Sequence, residues 1–144
     1  MNFELLRSFE GHIHSLFAFL SSDYGFAAPQ LEVDGSISVA TVTFRGHNVA
    51  VQLVLDERDD DIDCIIARVT NGVVTKHFAR DEAGALVREP LFAMVTRKGA
   101  RGSAFTRVSG LSLEQRIPIT LADFAQMLKT KGKDILADSP SVFP

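Results

Sequence analysis

From Leu31 to Phe78 the chain alternates apolar and polar residues and is broken by turn signals at short intervals. No other feature limits the fold as strongly. Period-two alternation suits half-buried strands, and frequent reversals make their neighbours antiparallel. Pro29 introduces extended chain. Leu31–Asp34 reads as a short strand closed by an Asp34-Gly35 turn, and Ile37 to Arg45 as a second strand. Gly46-His47 has the form of a two-residue type II′ turn, with glycine taking the positive φ. Such a turn sets Phe44 opposite Val49, Val42 opposite Val51 and Ala40 opposite Leu53 on one apolar face. Thr43 with Ala50 and Thr41 with Gln52 form the other face. A third strand spans Val49 to Leu55, an acidic turn runs from Asp56 to Asp61, and a fourth strand from Ile62 to Thr70. Asn71-Gly72 is the strongest hairpin signal. It sets Val69 opposite Val74 and Ile65 opposite Phe78, with Arg68–Thr75 and Ile66–His77 on the other face. Ile62, Cys64 and Ile66 leave that second face partly apolar and in need of cover, from the C-terminal segment or from a partner.

Helices flank the strands. Phe3, Leu6, Phe9, Ile13, Leu16, Phe17 and Leu20 recur at helical spacing over residues 3 to 20, with Asn2 as N-cap and Gly25 as stop. Beyond Phe78 the periodicity fades. Arg80 to Gly84 reads as a polar turn. Pro90 to Lys98 reads as a short helix with Pro90 first and Gly99 as stop. Residues 99 to 110 read as a glycine-rich basic loop. Ser112-Leu113-Glu114-Gln115 has the spacing of a capping box for one brief turn. A last helix starts at Thr120 and carries Leu121, Phe124, Leu128, Ile135 and Leu136, with Gly132 as its weak point. The expected class is α+β: an N-terminal amphipathic helix, an antiparallel meander of about five strands, and C-terminal helices packed on the sheet.

A chain of 144 residues that is 46% hydrophobic has the material for one core. Residues 1–138 are read as a single domain and 139–144, with two prolines, as a frayed tail. Eleven Phe stand against one Tyr and no Trp. That balance assigns Phe3, Phe9, Phe17, Phe26, Phe44, Phe78, Phe92 and Phe124 mostly to the core rather than to recognition. The net charge of -3 argues against general nucleic-acid binding. The lone Cys64 rules out an internal disulfide and fits a reducing cytoplasm. The segment MNFELLRSFEGHIH lacks the basic region and apolar run of an export signal, and no apolar stretch nears the ~20 residues of a membrane span.

Reactive constellations are scarce. Asp59, Asp61 and Asp63 have the alternate spacing of a calcium loop. However, Cys64 falls where that loop needs glycine and Thr70 where it needs glutamate. His12 and His14 lie about 200° apart on a helix and cannot share a metal. Cys64, flanked by Asp63, reads as a buried and inert thiol. Neither a nucleophile elbow nor a phosphate loop is present. No metal or cofactor is expected. Two polar stretches remain as partner-binding candidates. The first is the acidic turn, through Asp56, Glu57, Asp59, Asp60 and Asp61. The second is the basic segment 97–107, through Arg97, Lys98 and Arg101.

An amphipathic helix, Tyr24-Gly25-Phe26, and a meander built from Val39-x-Thr41-x-Thr43, Val49-x-Val51-x-Leu53 and Leu55-Asp56-Glu57-Arg58-Asp59 resembles a group of small bacterial proteins. Some of these are like the immunity proteins of polymorphic-toxin systems. The similarity covers roughly residues 3 to 70 and transfers no functional residue. What it implies is a stoichiometric binding protein without catalysis; separately, the charge of the acidic turn suits a basic protein partner in the cytoplasm. Homodimerisation is a further expectation. The alternative is a module for a small ligand or nucleic acid, using the cleft between sheet and helices together with the basic loop. A dispersed active site is the third class, and would show as titratable groups of shifted pKa in a pocket.

Overall fold

The computed structural model describes residues 1–97 and 110–144. The basic stretch 98–109, with Lys98, Arg101 and the expected Gly99 stop, lies outside the described residues. The first helix, α1 (Phe3–Leu16), is opened by Asn2, whose Oδ1 accepts the N–H groups of Glu4 at 2.9 Å and Leu5 at 3.2 Å. It ends sooner than the apolar spacing suggests. Phe17 leaves helical geometry and sends its ring into the core, 6.4 Å from the Phe44 ring, before a short helix α2 (Ala18–Ser22) resumes.

The meander follows as β1 (Gln30–Asp34), β2 (Val39–Arg45), β3 (Val49–Asp56), β4 (Asp61–Thr70) and β5 (Val73–Val74). All neighbours are antiparallel and in sequence order, and the sheet curls into a half-barrel. Between β2 and β3 the register differs from expectation by two residues. Phe44 faces Val51, Val42 faces Leu53 and Ala40 faces Leu55, while Thr43 faces Gln52. The turn centres on His47-Asn48, because the Asp138 carboxylate accepts the N–H groups of His47, Asn48 and Val49 at 2.6–2.9 Å. An even shift preserves faces, so the apolar and polar sides remain as the alternation has them.

On β4 the expected faces exchange. Ile62, Cys64 and Ile66 lie opposite Leu55, Leu53 and Val51 and are buried beneath the helices, while Ile65 turns to the far side with Gln52. The Asn71-Gly72 hairpin does pair Val69 with Val74, and Thr75 N–H donates to Arg68 O at 3.0 Å. The pairing goes no further. Phe78 stands 55% exposed, and β6 (Arg88–Pro90) takes the edge of β4 beside Ile65 to Ala67. Pro90 ends this edge strand rather than opening the next helix, α3 (Leu91–Arg97); an edge tolerates its missing N–H.

A single helix, α4 (Leu113–Lys131), replaces the expected brief turn and separate last helix. Both halves of the capping box form, with Gln115 N–H on Ser112 Oγ at 3.2 Å and Ser112 N–H on Gln115 Oε1 at 3.0 Å. The helix runs straight through Pro118, because Leu113, Ile117, Leu121, Phe124 and Leu128 supply one continuous buried stripe. At Gly132 it yields to α5 (Lys133–Leu136). The residues beyond are docked, not frayed: Pro140–Val142 form a 3-10 turn, and Val142 and Phe143 are buried. The core lies between one face of the sheet and α1 with α4, as a single cluster that includes Phe9, Phe17, Phe44 and Phe124. Of the eight phenylalanines assigned mostly to the core, Phe9, Phe17, Phe26, Phe44 and Phe124 are buried, while Phe3, Phe78 and Phe92 are exposed.

Candidate functional site

The acidic turn is engaged in holding the fold. Asp56 accepts Asp59 N–H at 2.9 Å, and Glu57 accepts the backbone N–H of Asn2, at the start of α1, at the same distance. Asp60, with φ of +56°, accepts Arg116 of α4 on its carboxylate at 2.7 Å and on its carbonyl at 3.0 Å. The turn thus fastens the starts of α1 and α4 to one corner of the sheet. Asp59 and Asp61 are exposed. Arg97 is bound to Glu89 at 2.6 Å, so it does not join the acidic residues.

A depression of about 400 Å³ opens where α1 and α2 meet the sheet, between His14, Ala18 and Ser21 on the helices and Pro29 and Phe44 on the other side. A second pocket lies on the opposite face of the sheet. Strand alternation places Gln30 and Glu32 of β1, Thr43 and Arg45 of β2, and Gln52 of β3 on that side. The end of the β4–β5 hairpin, from Gly72 to Lys76, walls the other flank, and Ala27 and Ala28 close the near end. The enclosed volume is about 250 Å³. Two interactions span it: Lys76 Nζ meets Glu32 Oε1 at 3.0 Å, and Arg45 Nη1 donates to Gly72 O at 3.2 Å.

Gln52 is the notable member of this trough. It is only 4% exposed, the sole fully buried polar side chain among the described residues. Its Nε2 donates to Thr43 Oγ1 at 3.2 Å, while Oε1 has no partner. Exchanging the two ends of the amide moves the deficit to the NH2 group, so one end stays unsatisfied either way. A buried amide half without a partner costs roughly 1–3 kcal/mol. Alternation alone misses this residue. Its one signal in the sequence is that Gln52 interrupts an otherwise apolar run, Val49 to Leu55.

Farther along the same face, Asp63 receives Cys64 N–H at 2.8 Å. Burial raises its carboxyl above the ordinary range; the Cys64 N–H and nearby Arg88 oppose that shift, and Asp61 adds to it. Burial in turn lowers the Arg88 guanidinium. On the helix side, burial and then Asp63 push the Cys64 thiol well up, which agrees with an inert sulfur. At an exposed turn, the Ser36 hydroxyl and N–H hold Asp34 below its usual value. Among the described residues, the lining of the trough has neither histidine nor cysteine.

No group of three or more His, Cys, Asp or Glu side chains among the described residues is placed to hold a metal. No helix among them is long and apolar enough to cross a membrane. An α+β domain with a trough on the face of its sheet opposite α1 and α4 is the class these features define. The chain matches no protein-family model, no curated protein and no solved structure.

Proposed function

We propose that this chain is a non-catalytic binding domain that receives a small polar molecule in the trough between β1 and the β4–β5 hairpin. The observation that carries this reading is Gln52. A fold that keeps a buried amide half-satisfied beneath the trough, where methionine would fill the same space, retains a cost that turning the shielded Oε1 toward a bound polar group removes. The surrounding lining offers donors and acceptors of both kinds. The substitution Gln52→Met tests the reading. It should raise the stability of the free protein by about 1 kcal/mol in urea unfolding. It should also abolish the perturbation of Thr43, Gly72 and Val74 amide signals by polar small molecules. Full retention of that perturbation overturns the reading.

A second reading, docking to a basic protein in the manner of an immunity protein, draws support from Asp59 and Asp61, exposed at one corner of the sheet. The engagement of Glu57 and Asp60 with α1 and α4 weakens it. Gln52→Met separates the two readings, since it removes trough binding and leaves the acidic corner intact.

A further inference from the structure

Resting on that reading of the trough, we infer that its ligand is a small carboxylate carrying a second hydrogen-bonding group, with Arg45 as the carboxylate receptor. The argument is electrostatic and geometric. Among the described residues, Glu32, Arg45 and Lys76 are the ionisable side chains of the lining. Glu32 and Lys76 neutralise one another at 3.0 Å across the opening. Arg45 is then the surplus charge, so the trough is locally positive on a chain whose net charge is -3. A cation is repelled there. A phosphate dianion leaves one charge uncompensated, whereas a monocarboxylate is matched.

The place of Arg45 strengthens the case. Among the described residues, its side-chain hydrogen bond is the single Nη1 contact to Gly72 O. The rest of the planar fork is free to take both oxygens of a carboxylate. Arg45 and Gly72 also wall an adjoining depression of about 250 Å³, formed with Gly25, Gly46, His47 and Val69. The guanidinium therefore stands where the two hollows meet. From that position, a carboxylate held by Arg45 directs the body of the molecule over Thr43 and Gln52, whose shielded Oε1 turns to meet it. The trough volume of about 250 Å³ corresponds to about eight water-sized groups at roughly 30 Å³ each.

The test is a set of nuclear magnetic resonance titrations of the full chain with lactate, its uncharged counterpart lactamide, glycerol and choline, read at Thr43, Gly72, Val74 and the Gln52 side-chain amide. The expected result is saturable shifts with lactate and none with the other three. Arg45→Gln should weaken lactate at least about ten-fold, as loss of a charge-assisted pair does. Arg45→Lys should recover part of that loss. Glu32→Gln, which releases Lys76 and raises the surplus charge, should tighten lactate several-fold. Retained signal dispersion in each variant establishes that it is folded. If lactamide or glycerol binds as well as lactate, or the Arg45 and Glu32 variants change nothing, the carboxylate assignment fails while the trough remains a binding site. Choline binding that Glu32→Gln abolishes reverses the assigned sign. If no probe shifts those signals at tens of millimolar, both the assignment and the reading beneath it fail.

Discussion

Asp63 is held on the outer face of β4 with most of its surface out of water, beside Asp61 and Arg88. Burial raises its folded pKa above the unfolded value of 3.8. The folded protein therefore binds the proton more tightly than the unfolded chain does. The stability this group contributes is fully present below the unfolded pKa and is lost as pH rises through the folded one. Asp63→Asn removes the titration while keeping an acceptor for Cys64 N–H. The variant should melt higher than the parent at neutral pH, and the gap should close as the pH falls below the folded pKa of Asp63. Melting curves across pH 3 to 7 check this, and a gap that widens in acid contradicts it. The same residue illustrates what escapes sequence reading. Its acidic neighbours suggest an exposed metal loop, whereas the cation that acts on it, Arg88, comes from β6, 25 positions away.

At the level of elements, Pro118 is the local conflict. It lies inside α4, where its ring opposes the Glu114 carbonyl and provides no N–H for it. The helix persists because the buried stripe from Leu113 to Leu128 outweighs one lost bond. Pro118→Ala should stabilise the protein, by up to about 3 kcal/mol if the ring contributes no packing of its own. A urea midpoint that falls instead shows that the ring is needed where it sits. Proline is also why residues 112 to 120 read as a turn followed by a separate helix: local chemistry marks a boundary that tertiary burial erases. The strands show the reverse. Alternation identified the apolar faces of β2 and β3 correctly despite a misplaced turn, since a two-residue slip leaves every side chain on its own side. It failed on β4, where the register carried down from Asn71-Gly72 stops at Val74. The trough was illegible because it takes its lining from β1, β2, β3 and β5 together. Only the oddness of Gln52 in an apolar run marks it in advance.

Across the whole molecule, one contact joins distant parts of the chain. Asp138, in the left-handed region at φ +52°, inserts its carboxylate into the β2–β3 turn, and its carbonyl accepts Asn48 Nδ2 at 2.9 Å. Gly46 is glycine for that reason: a Cβ there would lie 2.5 Å from Asp138 Oδ1. Asp138→Ala should cost about 2 kcal/mol or more in unfolding experiments, because it strips a charged acceptor from several amides at once. Gly46→Ala should also destabilise, but markedly less in the Asp138→Ala background, where the obstructing carboxylate is gone. Additive losses would show that the two residues do not meet. The contact also sets an order of events during translation. The acceptor is 91 positions downstream of the His47 amide it captures, a gap that takes roughly 5–18 s to synthesise at usual ribosomal speeds. Until then the tip of the first long hairpin has only water to satisfy it, so the ribbon that emerges early is fastened late.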